Sequence, residues 1–175
     1  MIVRLLAFWI QFRISMIRTG IGVDAHRFAE HRRLVLGGVD IPHRLGLEGH
    51  SDADVLCHAV MDALLGAVAD RDIGWHFPDT DPRWKGARSV DLLKRVGERL
   101  AARGARVVNV DATVLAERPK LMPFMDEMRR HMAEALGIGM DRISVKATTM
   151  ERMGAIGREE GIAAMAVATV ETPEG

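Results

Sequence analysis

Asp24-Ala25-His26 and, about one helix later, His50-Ser51-Asp52-Ala53-Asp54-Val55-Leu56-Cys57-His58 contain the side chains best suited to chemistry. In an extended strand the residues at i and i+2 share a face, so Asp24 and His26 present a carboxylate and an imidazole side by side. The second stretch reads as a helix entry, with Ser51 as N-cap and Asp54 completing a capping box three residues on, which places His58 on the second turn as a third donor. One carboxylate and two imidazoles leave a fourth tetrahedral position open, the pattern of a zinc ion that meets a substrate. Taken alone, Asp-x-His also arises by chance, and a single helical His is commonly a satisfied surface or core group.

The elements that must position these donors follow from periodicity. Thr19 to Asp24 and Leu34 to Gly38 read as strands joined by the polar turn Glu30-His31-Arg32, with His31 and His43 solvated. Asp40 to Gly49 reads as a loop. A helix from Ser51 to about Ala69 has Cys57, Val60 or Met61, Leu64 and Val68 as its apolar stripe. His58 and Asp62 are i, i+4 neighbours off that stripe, so Asp62 either orients His58 or is an ordinary exposed carboxylate. Asp70 to Gly86, rich in Pro, Gly and Asp, reads as a binding loop or flap. A helix capped by Ser89 runs through Leu92, Leu93, Val96 and Leu100 to Gly104.

Arg106 to Ala116 reads as a strand with Val108, Val110, Ala112 and Val114 on one face, broken by Pro119-Lys120. Pro123 opens a helix with a Met125, Met128, Met132 and Leu136 stripe, ended by Gly137. Arg142 to Thr149 is a strand, Met150 to Glu159 a loop, and Gly161 to Val170 a last strand so apolar that it must be covered on both faces, by helices on one side and a neighbouring subunit on the other. The expectation is one compact α+β domain, a mixed sheet of four to five strands with helices on one face, whose sheets pack together in a homotrimer.

The chain has 175 residues, 48% of them hydrophobic, enough for one well-packed domain. Lys plus Arg and Asp plus Glu number 24 each, so no global field favours nucleic acid, although a local basic pocket remains compatible with the balance. The single Cys57 excludes an internal disulfide and fits a reducing cytoplasm. No window reaches the roughly 18 apolar residues of a membrane span. Residues 1–16 carry the short apolar run Leu5 to Ile10, interrupted by Gln11 and Arg13 and lacking a cleavage site. They read as a disordered extension or a non-native start, or alternatively as an amphipathic surface anchor, before a domain spanning 17–173.

The runs Gly22-Val23-Asp24-Ala25-His26, Leu36-Gly37-Gly38-Val39, Gly49 through His58, Asp72-Ile73-Gly74, Phe77-Pro78-Asp79-Thr80-Asp81-Pro82 and Val145-Lys146-Ala147-Thr148-Thr149 follow in order along the chain. Together, from Ile17 to Glu171, they resemble the 2-C-methyl-D-erythritol 2,4-cyclodiphosphate synthases of the non-mevalonate isoprenoid pathway. The resemblance implies conversion of 4-diphosphocytidyl-2-C-methyl-D-erythritol 2-phosphate to the cyclic diphosphate, with release of CMP, by attack of the substrate's own 2-phosphate on the β-phosphorus. No protein nucleophile is required. The chain also lacks a Walker loop, a Rossmann glycine fingerprint and a nucleophile elbow, so phosphates fall to metal, backbone amides and a few cations.

Carried over by residue, the resemblance makes Asp24, His26 and His58 the zinc ligands. His50 and Ser51 stand beside the migrating phosphate and, with Thr149, are the catalytic candidates. Asp72, Ile73 and Gly74 match ribose contacts, and Asp79 lies over the erythritol. Ala116, Lys120 and Met122 fall where cytosine is clasped, and Thr148, Thr149 and Met150 match diphosphate and nucleotide contacts. Glu151 matches the carboxylate that holds a second ion, magnesium or manganese. The family's active sites lie between subunits of a homotrimer. This chain departs from the family pattern at Met150, Ala155 and Val23; the last two and Arg158, a further substrate-binding candidate, belong with Glu160 to the trimer's central channel. A zinc-dependent phosphohydrolase and a non-catalytic trimeric scaffold are the rival readings.

Overall fold

The computed structural model describes residues 15–174. Strand β1 (Ser15–Ala29) leads through β2 (Leu34–Leu36), β3 (Val39–Ile41) and β4 (Gly46–Leu47) to helix α1 (Val55–Ala67). The one-turn helix α2 (Ile73–His76) precedes α3 (Ser89–Ala102), β5 (Arg106–Leu115), α4 (Met125–Leu136), β6 (Ile143–Thr148), the short α5 (Gly154–Gly157) and β7 (Gly161–Pro173). Five strands form one sheet in the order β4-β1-β7-β5-β6. β5 and β6 run parallel and the other pairs antiparallel, which makes the sheet mixed and the class α+β, as expected. Ser15 and Met16, expected in the extension, pair with Thr172 and Pro173 at the strand end; the rest of that extension lies outside the described residues.

Alternation divides the sheet into two unlike faces. Ile162, Ala164, Ala166, Ala168 and Val170 of β7 are buried and join α1, α3 and α4 in one core. On the opposite face Ile17, Ile21, Val23, Met165 and Val167 are exposed. In β5 a register shift between Val107 and Asn109 turns Val107, in place of the expected Val108, toward the core with Val110, Ala112 and Val114.

α1 has no narrow stripe, because the sheet covers one side and α3 another; nearly all of its residues from Val55 to Leu65 are buried. It ends two residues earlier than expected, at Ala67. β1 carries glycine where the helix crosses it: a Cβ on Gly22 would lie 2.0 Å from the carbonyl oxygen of Ala59, and one on Gly20 2.1 Å from that of Ala63. These glycines let the helix backbone approach the strand that carries Asp24 and His26.

Three expected loops contain structure: β3 and β4 reach into 40–49, α5 lies in 150–159, and the third is 70–86. β2 and β3 form a hairpin across Gly37 and Gly38, whose φ values of 57° and 74° suit the tight turn of a two-residue connection. The segment 70–86 contains α2 and a 3-10 turn at Pro82–Trp84. His43 is half-buried against Phe28, with ring centroids 5.2 Å apart, and is not merely solvated.

Candidate active site

Docking of α1 on β1 brings Asp24, His26 and His58 together. His58 Nδ1 lies 2.9 Å from Asp24 Oδ2, His26 Nε2 lies 3.0 Å from the same oxygen, and the two nitrogens are 3.2 Å apart. Ligands bonded tetrahedrally at zinc distances stand about 3.3 Å from one another, so this triangle fits the base of such a site. The residues also fit by charge. Burial opposes ionisation of Asp24, yet its hydrogen bonds to His26 and His58 outweigh this and hold the carboxyl below the ordinary carboxylate range. Burial favours a neutral His58, but Asp24, with Asp54 and Asp52, raises its pKa. One carboxylate oxygen and two imidazole nitrogens are the donors of this group, which could hold a divalent metal ion.

The cluster opens into a cavity of about 470 Å³ that His50, Ser51, Ile73, Gly74 and Asp79 also line. Phe77, Trp84, Leu92 and Met61, which the sequence did not single out, supply its apolar wall. Ser51 does not cap α1. Its Oγ accepts the Ala53 N–H at 3.1 Å and lies 3.2 Å from His58 Nε2, while Ala53 takes a left-handed φ of 56°. The cap is Asp54, which accepts Cys57 N–H at 3.0 Å and also the N–H groups of Gly37 and Gly38 at 2.9 and 2.7 Å. One buried carboxylate therefore ties the hairpin to the helix that presents His58. His58 sits on the first turn beyond that cap, not the second, its backbone N–H bonded to Asp54 O at 3.0 Å.

Two further expectations are corrected. Asp62 accepts the Ile73 N–H at 2.8 Å and so braces the cavity rim; it makes no hydrogen bond to His58. Ser89 is not a side-chain cap either. Arg88 occupies that position, and the fully buried Ser89 bonds Asp52 and His58. Arg32 was also missed: its guanidinium donates to the carbonyls of Leu47, Gly49 and Ser51 at 2.8 to 3.1 Å, which holds the strand of chain bearing His50. Arg32 has no local sequence signal, because its partners lie 15 to 19 residues away.

The remaining candidates lie elsewhere. Asp72 caps α2 by accepting the Trp75 N–H at 2.8 Å. Ala116 is buried, Met150 is half-buried, and Lys120, Met122, Thr148, Thr149, Glu151 and Arg158 are exposed. Across the sheet Asp24 shares a row with Ala164, Val114 and Ala147, and Ala25 with Ala163, Leu115 and Thr148. Three strand spacings put β1 and β6 about 14 Å apart, and adjacent rows face opposite sides. Lys120 and Arg158 line a separate opening of about 940 Å³. Glu151, at φ 50°, accepts a hydrogen bond from Thr149 Oγ1 at 3.0 Å, and Glu117 Oε1 accepts the N–H groups of Met150 and Arg152 at 2.9 and 3.1 Å. Arg158 pairs with Glu160 at 2.7 Å.

Among known proteins, the chain is 59% identical over 156 residues to the 2-C-methyl-D-erythritol 2,4-cyclodiphosphate synthase of Salinibacter ruber, covering 89% of this chain and 99% of that one. It is similar to the solved structure of the bifunctional IspDF from Campylobacter jejuni, with a TM-score of 0.87 and 43% identity over 91% of this chain, and it spans 43% of that longer protein. A solved 2C-methyl-D-erythritol-2,4-cyclodiphosphate synthase in its CDP-bound form is 38% identical, with a TM-score of 0.80, over 87% of this chain and 99% of its own. Among the described residues no helix is long and apolar enough to cross a membrane. The YgbB family model matches residues 17–171, and the chain belongs to the YgbB family.

Proposed function

We infer that the chain is a 2-C-methyl-D-erythritol 2,4-cyclodiphosphate synthase, which closes 4-diphosphocytidyl-2-C-methyl-D-erythritol 2-phosphate into the cyclic diphosphate and releases CMP. The observation that carries this reading is the Asp24, His26 and His58 triangle at the floor of a cavity lined by His50 and Ser51, in a chain so similar to named synthases. Asp24, His26 and His58 would hold a divalent ion, zinc by the donor set, and such an ion supplies Lewis acidity at a phosphate oxygen. His50 and Ser51 orient the attacking 2-phosphate at the cavity wall. Phe77, Trp84 and Leu92 keep water from the reacting phosphorus, which favours ring closure over hydrolysis. Ring closure needs its oxygens held in line and little other chemistry.

Asp72, Ile73 and Gly74 meet the ribose, and Asp79 closes over the erythritol. Ala116, Lys120 and Met122 clasp the cytosine, Thr148, Thr149 and Met150 contact the diphosphate, and Glu151 would hold magnesium or manganese there. The separation of these residues from the zinc group within one chain supports a homotrimer in which adjacent subunits share each site. The exposed apolar strip of Ile17, Ile21, Val23, Met165 and Val167 supplies the contact surface, with Arg158 at the centre. The buried, free Cys57 suits a reducing, cytoplasmic setting.

The test is incubation with the diphosphocytidyl substrate and metal. CMP and cyclic product in equal amounts are expected. Inorganic phosphate or a linear product would instead identify a zinc-dependent phosphohydrolase, and CDP binding without turnover a scaffold.

A further inference from the structure

We propose that Asp52 and Ser89 are positioning residues that fix the proton on Nε2 of His58 and so reserve Nδ1 for metal. The inference rests on the metal reading of Asp24, His26 and His58, and it concerns two residues outside that group.

Proton counting carries it. Ser89 Oγ–H donates to Asp52 Oδ1, and the Ser89 backbone N–H donates to Asp52 Oδ2 at 3.0 Å. An ionised carboxylate only accepts, so the single hydroxyl proton of Ser89 is committed to Asp52. Toward His58 Nε2, 3.0 Å away, Ser89 Oγ can then only accept. Nε2 must supply the proton. Nδ1 donates its own proton to the Asp24 carboxylate 2.9 Å away; a metal ion bound beside Asp24 and His26 would displace that proton, and the neutral imidazole left behind carries its one proton on Nε2. Ser51 Oγ, 3.2 Å from Nε2, is a second acceptor for the same proton, but unlike Ser89 it has no carboxylate to fix its polarity.

The arrangement is also mechanically fixed. Ser89 is fully buried at the start of α3, where the Asp52 carboxylate receives its N–H. The Asp52 N–H in turn donates to Ala87 O at 3.0 Å. The turn that precedes α1 and the first turn of α3 are thus joined at the back of the imidazole. Without that join, His58 distributes between tautomers, and the Nδ1–H form must be displaced before metal binds, which lowers apparent affinity by the competent fraction. Asp52→Asn is the sharper disruption: the amide can donate to Ser89 Oγ, which frees the serine proton to point at Nε2 and favours the wrong tautomer.

The experiment measures zinc affinity by chelator competition for the native protein, Ser89→Ala and Asp52→Asn, together with ¹⁵N spectra of the histidine rings in the zinc-loaded native protein. The expected result is a dissociation constant raised about 10- to 100-fold in both variants, the range for losing an outer partner of a ligand histidine. The native His58 should show a protonated Nε2 and a ligated Nδ1. Native-like zinc affinity in either folded variant would overturn the inference, as would a native His58 ligated through Nε2. If a variant does not fold, the native spectrum and the other variant decide. A native protein that binds no zinc at Asp24, His26 and His58 would instead overturn the metal reading itself, a distinguishable failure.

Discussion

The zinc-facing and nucleotide-facing groups of the proposed site are finished to different degrees within one chain. Asp24, His26 and His58 keep only 24, 20 and 10% of their side-chain surface, and their polar atoms are held by Ser51, Ser89 and one another. Lys120, Met122, Thr148, Thr149 and Glu151 are exposed, and the Thr148, Thr149 and Glu151 side chains bond only near neighbours in sequence. The region where bonds to phosphorus form and break needs fixed dipoles and little water, so it is prebuilt. The region that grips a nucleotide can remain a surface until a second subunit encloses it.

His58→Ala is expected to have the largest effect. Activity should fall on the order of 10³-fold or more, because the lost ion supplies several kcal/mol of transition-state stabilisation. Metal analysis should show an empty site in a folded chain, and full occupancy would break the assignment. Lys120→Ala should lower kcat/KM about 10- to 150-fold, the loss of one charge-assisted hydrogen bond to the nucleotide, with metal content unchanged. A parallel loss of zinc would blur the distinction between the two regions.

Gly22→Ala should destabilise the fold by about 1–3 kcal/mol and lower Tm by roughly 2–12 °C, because its Cβ meets the α1 backbone. Reduced zinc affinity should accompany it, since the same contact sets where His58 sits; native Tm and affinity would show that this contact is not limiting.

Asp70, just beyond the C-terminal end of α1, gives a pH-dependent test of stability. Hydrogen bonding from Arg99, aided by the charge of Arg103, holds its carboxyl below the ordinary carboxylate range despite burial. A lowered folded pKa contributes stability above the unfolded value of about 3.9, and that stability is lost as pH falls through the folded value. Asp70→Asn should therefore cost about 1–2 kcal/mol at pH 7, with the gap in Tm closing below about pH 4. A gap independent of pH would remove charge as its cause. The smallest effect is expected from a chain begun at Met16, which among the described residues loses only the Ser15–Pro173 pair of β1 and should turn over normally; loss of activity would give the leading residues a role.

The strand spacing of Asp24 and His26 was legible because it is local, and so were the helix ends at Gly104 and Gly137, both with positive φ. Gly37-Gly38 is a readable hairpin signal, and Gly20-x-Gly22 marks a close approach. The cap of α1 was assigned to Ser51 because the capping-box spacing fits; the left-handed turn at Ala53, which moves the helix start to Val55, has no glycine to announce it. The Asp52 to Ser89 bond spans 37 residues and arises from packing of α3 on α1, which no periodicity encodes. The distance between the zinc group and Thr148 likewise follows from strand order, not from either motif.

Subunit sharing is tested most directly by complementation. His58→Ala chains and the weakened Lys120→Ala chains, unfolded and reassembled together, should be more active than either variant reassembled alone, because some interfaces then pair an intact zinc group with an intact clasp. No recovery in confirmed mixed assemblies, or an active single chain in sedimentation, would contradict a site divided between subunits.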